Sequence, residues 1–313
     1  MTWRQHRFQL LVAGTVLGAL LVAAAATGLP MHAAYGRDPL ASCLPPAARS
    51  GCDLVLGRFE SQYGGLADSA RFLVVLPVLA GLFVGVPLLT RELEHGTFRF
   101  AWAQGITRTR WLLVKFALLG LAAVAAGVVL SLAVAWWRRP FDELGGRMSP
   151  AGFEIQGLVV PAYMLAALAV GVLSAALLRR TLPAMLLALG FFVVSRLAVG
   201  TLLRPRFQDP LRETAAGLAP VQRGRDWILH DSLVDAVGRV ITTSRQDVAI
   251  RHAQQGGIDP NDYLVSLGWR RAVTYQPGDR FWTFQALEAG LFAALALACL
   301  AAAVWLLRRR VAA

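Results

Sequence analysis

His230, Asp231, Ser232 and Asp235 stand together in the stretch LHDSLVD. An imidazole, a hydroxyl and two carboxylates are the groups of an acyl-transfer hydrolase. Such a site is made by geometry across a fold and not by adjacency, and the chain has no Gly-x-Ser-x-Gly elbow. No catalytic residue is therefore expected. The histidines are His6, His32, His95, His230 and His252, and their spacing forms no metal-ligand pattern, so no metal site is expected either. The lone lysine, Lys115, follows Trp-Leu-Leu-Val, which excludes a Gly-x-x-x-x-Gly-Lys-[Ser/Thr] phosphate loop. Cys43 and Cys52 lie in a polar stretch, whereas Cys299 sits in an apolar run. Arg196 and Glu288 interrupt long apolar runs. Charge inside a membrane is costly and marks a function or a pair. The two are candidates to pair between the fifth and sixth spans, as a structural brace or as a substrate or gating element; the alternative is Glu288 at the interface with Arg196 snorkelling.

These residues must be positioned by an apolar scaffold. The chain has 313 residues, 56% hydrophobic and 16% charged, against roughly 25% charged in soluble domains. Spanning a bilayer takes about 20 apolar residues. Six runs qualify, at about 9–29, 71–89, 112–137, 158–178, 182–203 and 285–307. Only helices or closed barrels satisfy the backbone in lipid, so six transmembrane helices are expected. The first run is too long for the apolar core of a signal peptide. Gly14-x-x-x-Gly18 and Gly81-x-x-x-Gly85 are small-residue motifs that let helices approach closely.

Basic side chains set the orientation. One alternating set of non-apolar segments carries twelve basic residues against two acidic, including Arg4, Arg7, Arg91, Arg99, Arg108, Arg110, Lys115, Arg179, Arg180 and Arg308. The other set is nearly balanced. Both termini and the segment 91–111 are thus expected in the cytoplasm, and the long segment 204–284 outside. The net charge of +12 follows this sidedness; a lipid bilayer is the expected surface and nucleic acid is not an expected partner. Cys43 and Cys52 then face an oxidising compartment, where a disulfide is the natural outcome.

The segment RELEHGTFRFAWAQGITRTRW, residues 91–111, is dense in charge between two apolar runs. Gly96 allows a turn, Thr97 is a candidate N-cap for a short helix over 98–104, and Gly105 ends it. Thr107 is a candidate cap for the next helix, which runs into the third span. Arg108 and Arg110 near that N-terminus oppose the helix dipole, which points to anionic headgroups or an acidic partner.

This stretch resembles the permease subunits of bacterial ATP-binding-cassette (ABC) exporters of the type-2 permease family. Their acid-x-x-x-Gly-Thr signature matches Glu92…Gly96-Thr97, their [Ser/Thr]-Arg pair matches Thr107-Arg108, and their following Lys matches Lys115. TWRQHR at the start and YQPGDRFWTFQALEAG before the sixth span are also similar. One departure is Gly105-Ile106, where many relatives have Pro. The resemblance implies that Glu92, Glu94, His95, Gly96, Thr97, Arg99, Trp102, Gln104, Thr107, Arg108 and Arg110 form a coupling element for a separate ABC ATPase subunit. It also implies a second permease copy or a paralogue, ATP and Mg on the ATPase subunit and none in this chain, and a bacterial plasma membrane. A non-transporting sensor or scaffold presenting 204–284 is the alternative, and an ion-coupled transporter using Glu288 or Arg196 is a third reading.

The expected fold class is an all-α integral membrane protein. Its parts are a membrane domain over 1–203 with five helices, an extracytoplasmic domain over 204–284, and a sixth helix with a basic tail over 285–313. In the outer domain, DPNDYLVSL reads as a helix start with Asp259 as cap and Pro260 in the first position. Leu233, Val234, Val237, Val240 and Ile241 fall at helical spacing, so a helix is expected over 226–244.

Overall fold

The computed structural model describes residues 2–37, 43, 52–95, 107–218 and 225–310. Within them, six helices are long and apolar enough to cross a membrane. The first is α1 (Thr2–Arg37). The second is an unbroken rod of α2 (Cys52–Ser69), a 3₁₀ stretch (Ala70–Val75), α3 (Leu76–Ala80), a π turn (Gly81–Gly85) and α4 (Val86–His95). The third is α5 (Arg108–Gly145), and the short α6 (Pro150–Phe153) follows it. The fourth is α7 (Val159–Leu178). The fifth is α8 (Thr181–Ala198), continued by a π turn (Val199–Leu203) and a 3₁₀ turn (Arg204–Arg206).

The fourth span is the hub. In its most apolar stretch 78% of residues are buried, against 6% in the first span and 11% in the fifth. Its alanines and Gly171 let neighbours come close. A Cβ on Gly81 would lie 2.6 Å from the Ala167 carbonyl oxygen, and one on Gly171 would lie 2.5 Å from the Gly81 carbonyl oxygen. The Gly81-x-x-x-Gly85 motif therefore seats the π turn of the second span on α7. Gly14-x-x-x-Gly18 meets no other side chain or backbone within 4 Å among the described residues.

Two helical rods run further than their apolar runs. The stretch between the first two apolar runs carries no spanning signal, yet α1 extends to Arg37 and α2 fills Cys52–Ser69. Arg58, Glu60 and Asp68 hide this helix from hydropathy. Its apolar stripe is real: Phe59 is buried against Tyr35, Tyr63 and Phe141, at ring separations of 6.2, 5.2 and 5.3 Å. The Tyr35 hydroxyl donates to Glu143 at 2.6 Å, which ties α1 to the end of α5. Cys43 and Cys52 are joined by a disulfide, which closes the connection between α1 and α2.

The unit between the fifth and sixth spans holds a three-stranded antiparallel sheet in the order β1 (Leu211–Ala216), β3 (Arg270–Gln276), β2 (Trp227–Val234). Helices α9 (Thr243–Gln255) and α10 (Pro260–Ser266) pack with it around Leu233, Ile241, Ala249, Leu264 and Trp269. Asp259 caps α10 as expected, accepting from the Asn261 and Asp262 N–H groups at 2.8 and 3.2 Å. The helix expected over 226–244 is absent. Trp227–Val234 is a strand, and Asp235 then turns the chain by accepting from the Val237 and Arg239 N–H groups, both at 2.9 Å. The five apolar residues do not share one face: Leu233, Val234 and Ile241 are buried, while Val237 and Val240 are exposed. The sixth span, α11 (Phe281–Arg310), follows directly.

Candidate functional site

The expected pair of Arg196 and Glu288 does not form. Each is taken by another partner, and the result is a larger cluster at the end of the bundle that carries the sheet. Arg196 bonds Glu154 at 2.5 Å. Arg204 bonds both oxygens of Glu288 at 2.7 Å and Glu154 at 3.0 Å. The Tyr163 hydroxyl donates to Glu288, and the Arg196 guanidinium lies 3.9 Å from the Tyr163 ring centre. Two arginines and two carboxylates therefore balance. Arg204 and Glu288 are buried at 2% and 1% exposure.

Local structure explains the alternative pairing. In a plain α-helix, positions i and i+7 share a face. The π turn Val199–Leu203 inserts about one residue, so Arg204, eight positions after Arg196, falls on the same face. Glu154 arrives from the turn after α6, beyond the third span. Beside the cluster, the Gln285 side chain accepts from the Val159 N–H at 3.0 Å and donates to the Phe153 carbonyl at 2.9 Å. A Cβ on Gly157, whose φ is +77°, would lie 2.5 Å from that side chain. Four elements thus meet here: the α6 turn, α7, the fifth span and the sixth. Hydropathy missed Glu154, Tyr163 and Arg204 because the first and last read as loop and Tyr163 as an ordinary span residue.

The opposite end of the bundle carries the 91–111 segment. Gly96, Thr97, Arg99, Trp102 and Gln104 lie outside the described residues, as do the side chains of Glu92, His95 and Arg108. Glu92 and His95 belong to the final helical turn of α4. Thr107 caps α5, its hydroxyl accepting from the Arg110 N–H at 3.4 Å. Glu94 reaches across to α8, where its carboxylate accepts from the Thr181 N–H at 2.8 Å and from the Thr181 hydroxyl at 3.1 Å. The Thr181 and Thr90 hydroxyls lie 2.9 Å apart. The Arg308 guanidinium donates to Thr109 at 3.1 Å, and the buried Lys115 ammonium lies 4.3 Å from the Trp111 ring centre.

The two carboxylates of the LHDSLVD stretch are each held by an arginine. Asp231 is held by Arg271 at 2.5 and 3.0 Å, and Asp235 by its own turn and by Arg239 at 2.9 Å. Hydrogen bonds from Arg271 hold the Asp231 carboxyl below its usual range, and the Arg239 N–H does the same for Asp235. Both stay charged acceptors, unsuited to proton transfer near neutrality. Among the described residues no His, Cys, Asp and Glu group has the arrangement to hold a metal ion. A polar cleft of about 780 Å³ opens between the end of α5 and the sheet unit, lined by Asp142, Arg147, Arg225, Asp226 and Asp279.

A family model described as ABC-2 membrane transporter related matches residues 14–204. This chain belongs to that family. The match covers the first five spans, the 91–111 segment and both arginines of the buried cluster. No curated protein and no solved structure shows a significant match. As an ABC-2 permease-related chain with six spanning helices, it is a multi-pass, non-catalytic membrane subunit of a transporter.

Proposed function

We propose that the chain is the permease of an ATP-driven exporter in a bacterial plasma membrane. It would work with a second permease copy or a paralogue, and with separate ABC ATPase subunits that hold ATP and Mg. Both termini and the 91–111 segment face the cytoplasm in this reading, and the sheet unit faces out. Outside placement puts the Cys43–Cys52 disulfide in an oxidising compartment.

The observation that carries the reading is the match across residues 14–204, which includes the charged segment between the second and third spans. That segment joins the end of α4 to the helix capped by Thr107, so a partner that pushes on it acts on two spans at once. The chain's own residues do three things here. Glu92 through Arg110 supply a charged socket. Lys115 and Trp111 hold the base of α5, and the spans shift against the α7 hub to change access along the permease.

The test is a detergent pull-down of the tagged chain from its native membrane, with bound proteins identified by mass spectrometry. A parallel sample carries Glu92→Ala with Thr97→Ala. An ATPase with a phosphate-binding loop is expected with the wild type and lost from the variant. An ATPase kept by both samples would overturn the role of the segment. No ATPase in either, where other transporters stay intact, would overturn the exporter reading in favour of a membrane scaffold.

A further inference from the structure

The fifth span is pinned at both ends and lightly packed between them. Along α8 only Ala184, Ala188 and Phe192 are buried. Its far end is locked by Arg196 and Arg204 onto Glu154 and Glu288. Its near end is held by Glu94 and Thr90 of the second span.

The near contact is a helix cap supplied from another helix. The first N–H groups of any helix lack internal partners. Arg180, at the N-cap of α8, offers no side-chain cap. The turn from α7 is only two residues long, and Arg179 takes φ +56°, a left-handed conformation that costs energy outside glycine. The turn therefore leaves Thr181 without a cap of its own. Glu94 fills that role with a carboxylate, the sign that a helix N-terminus favours. Thr90 and Glu94 are one turn apart on α4, so a single face of α4 holds Thr181 twice.

We propose that Glu94 is a positioning residue that transmits displacement of the 91–111 segment through Thr181 to the fifth span, and so to the Arg204–Glu288 clamp at its other end. This rests on the coupling role proposed above for that segment. The geometry has the parts a lever needs. Glu94 is the residue before the last of α4, where the segment begins. The rod from Thr181 to Arg206 is continuous over 26 residues, about 39 Å at 1.5 Å per residue. With few side chains buried along it, a shift at Thr181 is not absorbed on the way and arrives where Arg196 and Arg204 bind.

The experiment uses the full chain in nanodiscs with a Cys299→Ala background. Nitroxide labels are attached at Leu202→Cys and Leu291→Cys, two exposed positions on the fifth and sixth spans. Their distance distribution is read by electron double resonance. Glu94→Gln and Thr181→Val are each expected to add a second distance population that is absent from wild type. Thr181→Ser keeps both the N–H and the hydroxyl and should restore the single population. Thr15→Val removes a hydroxyl bond to the Leu11 carbonyl on α1, outside the segment and the lever, and should leave the distribution unchanged. A distribution unmoved by Glu94→Gln and Thr181→Val, in a sample where Glu154→Gln does move it, would reduce Glu94 to a local cap and overturn the proposal. No ATPase is present in the measurement, so its outcome is independent of the pull-down.

Discussion

Arg204→Met is the sharpest perturbation of the buried cluster. The arginine makes two bonds to Glu288 at 2.7 Å and one to Glu154 at 3.0 Å. Its removal leaves Glu288, 1% exposed, as a buried carboxylate with only the Tyr163 hydroxyl to compensate it. Removing one partner of a buried pair costs about 3–5 kcal/mol, because the other charge stays desolvated. At roughly 2–4 °C per kcal/mol, the melting temperature should fall by something on the order of 6–20 °C. The assay is thermal unfolding in one detergent at one scan rate, followed by tryptophan fluorescence. Adding Glu288→Leu removes the stranded charge, and an apolar pair in place of a buried ion pair is often neutral. The double variant should therefore recover most of the loss. Arg196→Ala with Glu288→Ala should show the smaller coupling, since those two have no direct bond and connect through Tyr163 and through Glu154 and Arg204. If Arg204→Met with Glu288→Leu loses the sum of the two single changes, the pairing read from the structure is wrong.

Thiol counting on the denatured chain should give one thiol without reductant and three with it, because Cys43 and Cys52 are bonded and Cys299 is free; three thiols in both samples would contradict the bond. Gly171→Leu should abolish folded protein on size exclusion, since its Cβ alone would sit 2.5 Å from the Gly81 carbonyl oxygen, whereas a Cβ on Gly14 meets nothing within 4 Å among the described residues and Gly14→Leu should keep the monodisperse peak. The Asp231–Arg271 pair should make the sheet unit acid-sensitive in a set direction. The folded Asp231 carboxyl is held low by Arg271, so its contribution is present above the unfolded value of about 3.9 and is lost as pH falls below it. Asp231→Asn should remove that part of the acid dependence, and a melting profile unchanged between pH 5 and pH 3 in both forms would count against the pair.

Hydropathy located all six spans because long apolar runs leave the backbone no option but helix in lipid. It failed where apolar and polar residues alternate. Phe59, Tyr63 and Leu66 form a helical stripe in α2, but Arg58, Glu60, Asp68 and three glycines dilute it below any spanning signal. The segment 226–244 failed differently. Leu233 and Ile241 both enter the core, yet they do so from the two sides of the Asp235 turn, and their spacing imitates one face of a helix. Local cap chemistry was legible at Asp259 and Thr107 because the cap acts within three residues.

Glu94 marks the boundary of what local reading can reach. Its place beside the acid-x-x-x-Gly-Thr signature suits an outward-facing socket residue, yet its carboxylate is turned sideways onto Thr181, 87 positions away. The same holds for Glu288, whose partner Arg204 lies 84 positions away. Both contacts exist because the two-residue turn before Thr181 and the π turn after Ala198 set where the fifth span starts and which face its arginines present. Neither feature has a hydropathy signature. In a bundle whose apolar faces all look alike to lipid, these few polar contacts tie particular helices to one another. The contacts that join distant spans are thus the ones that single-span patterns leave unassigned.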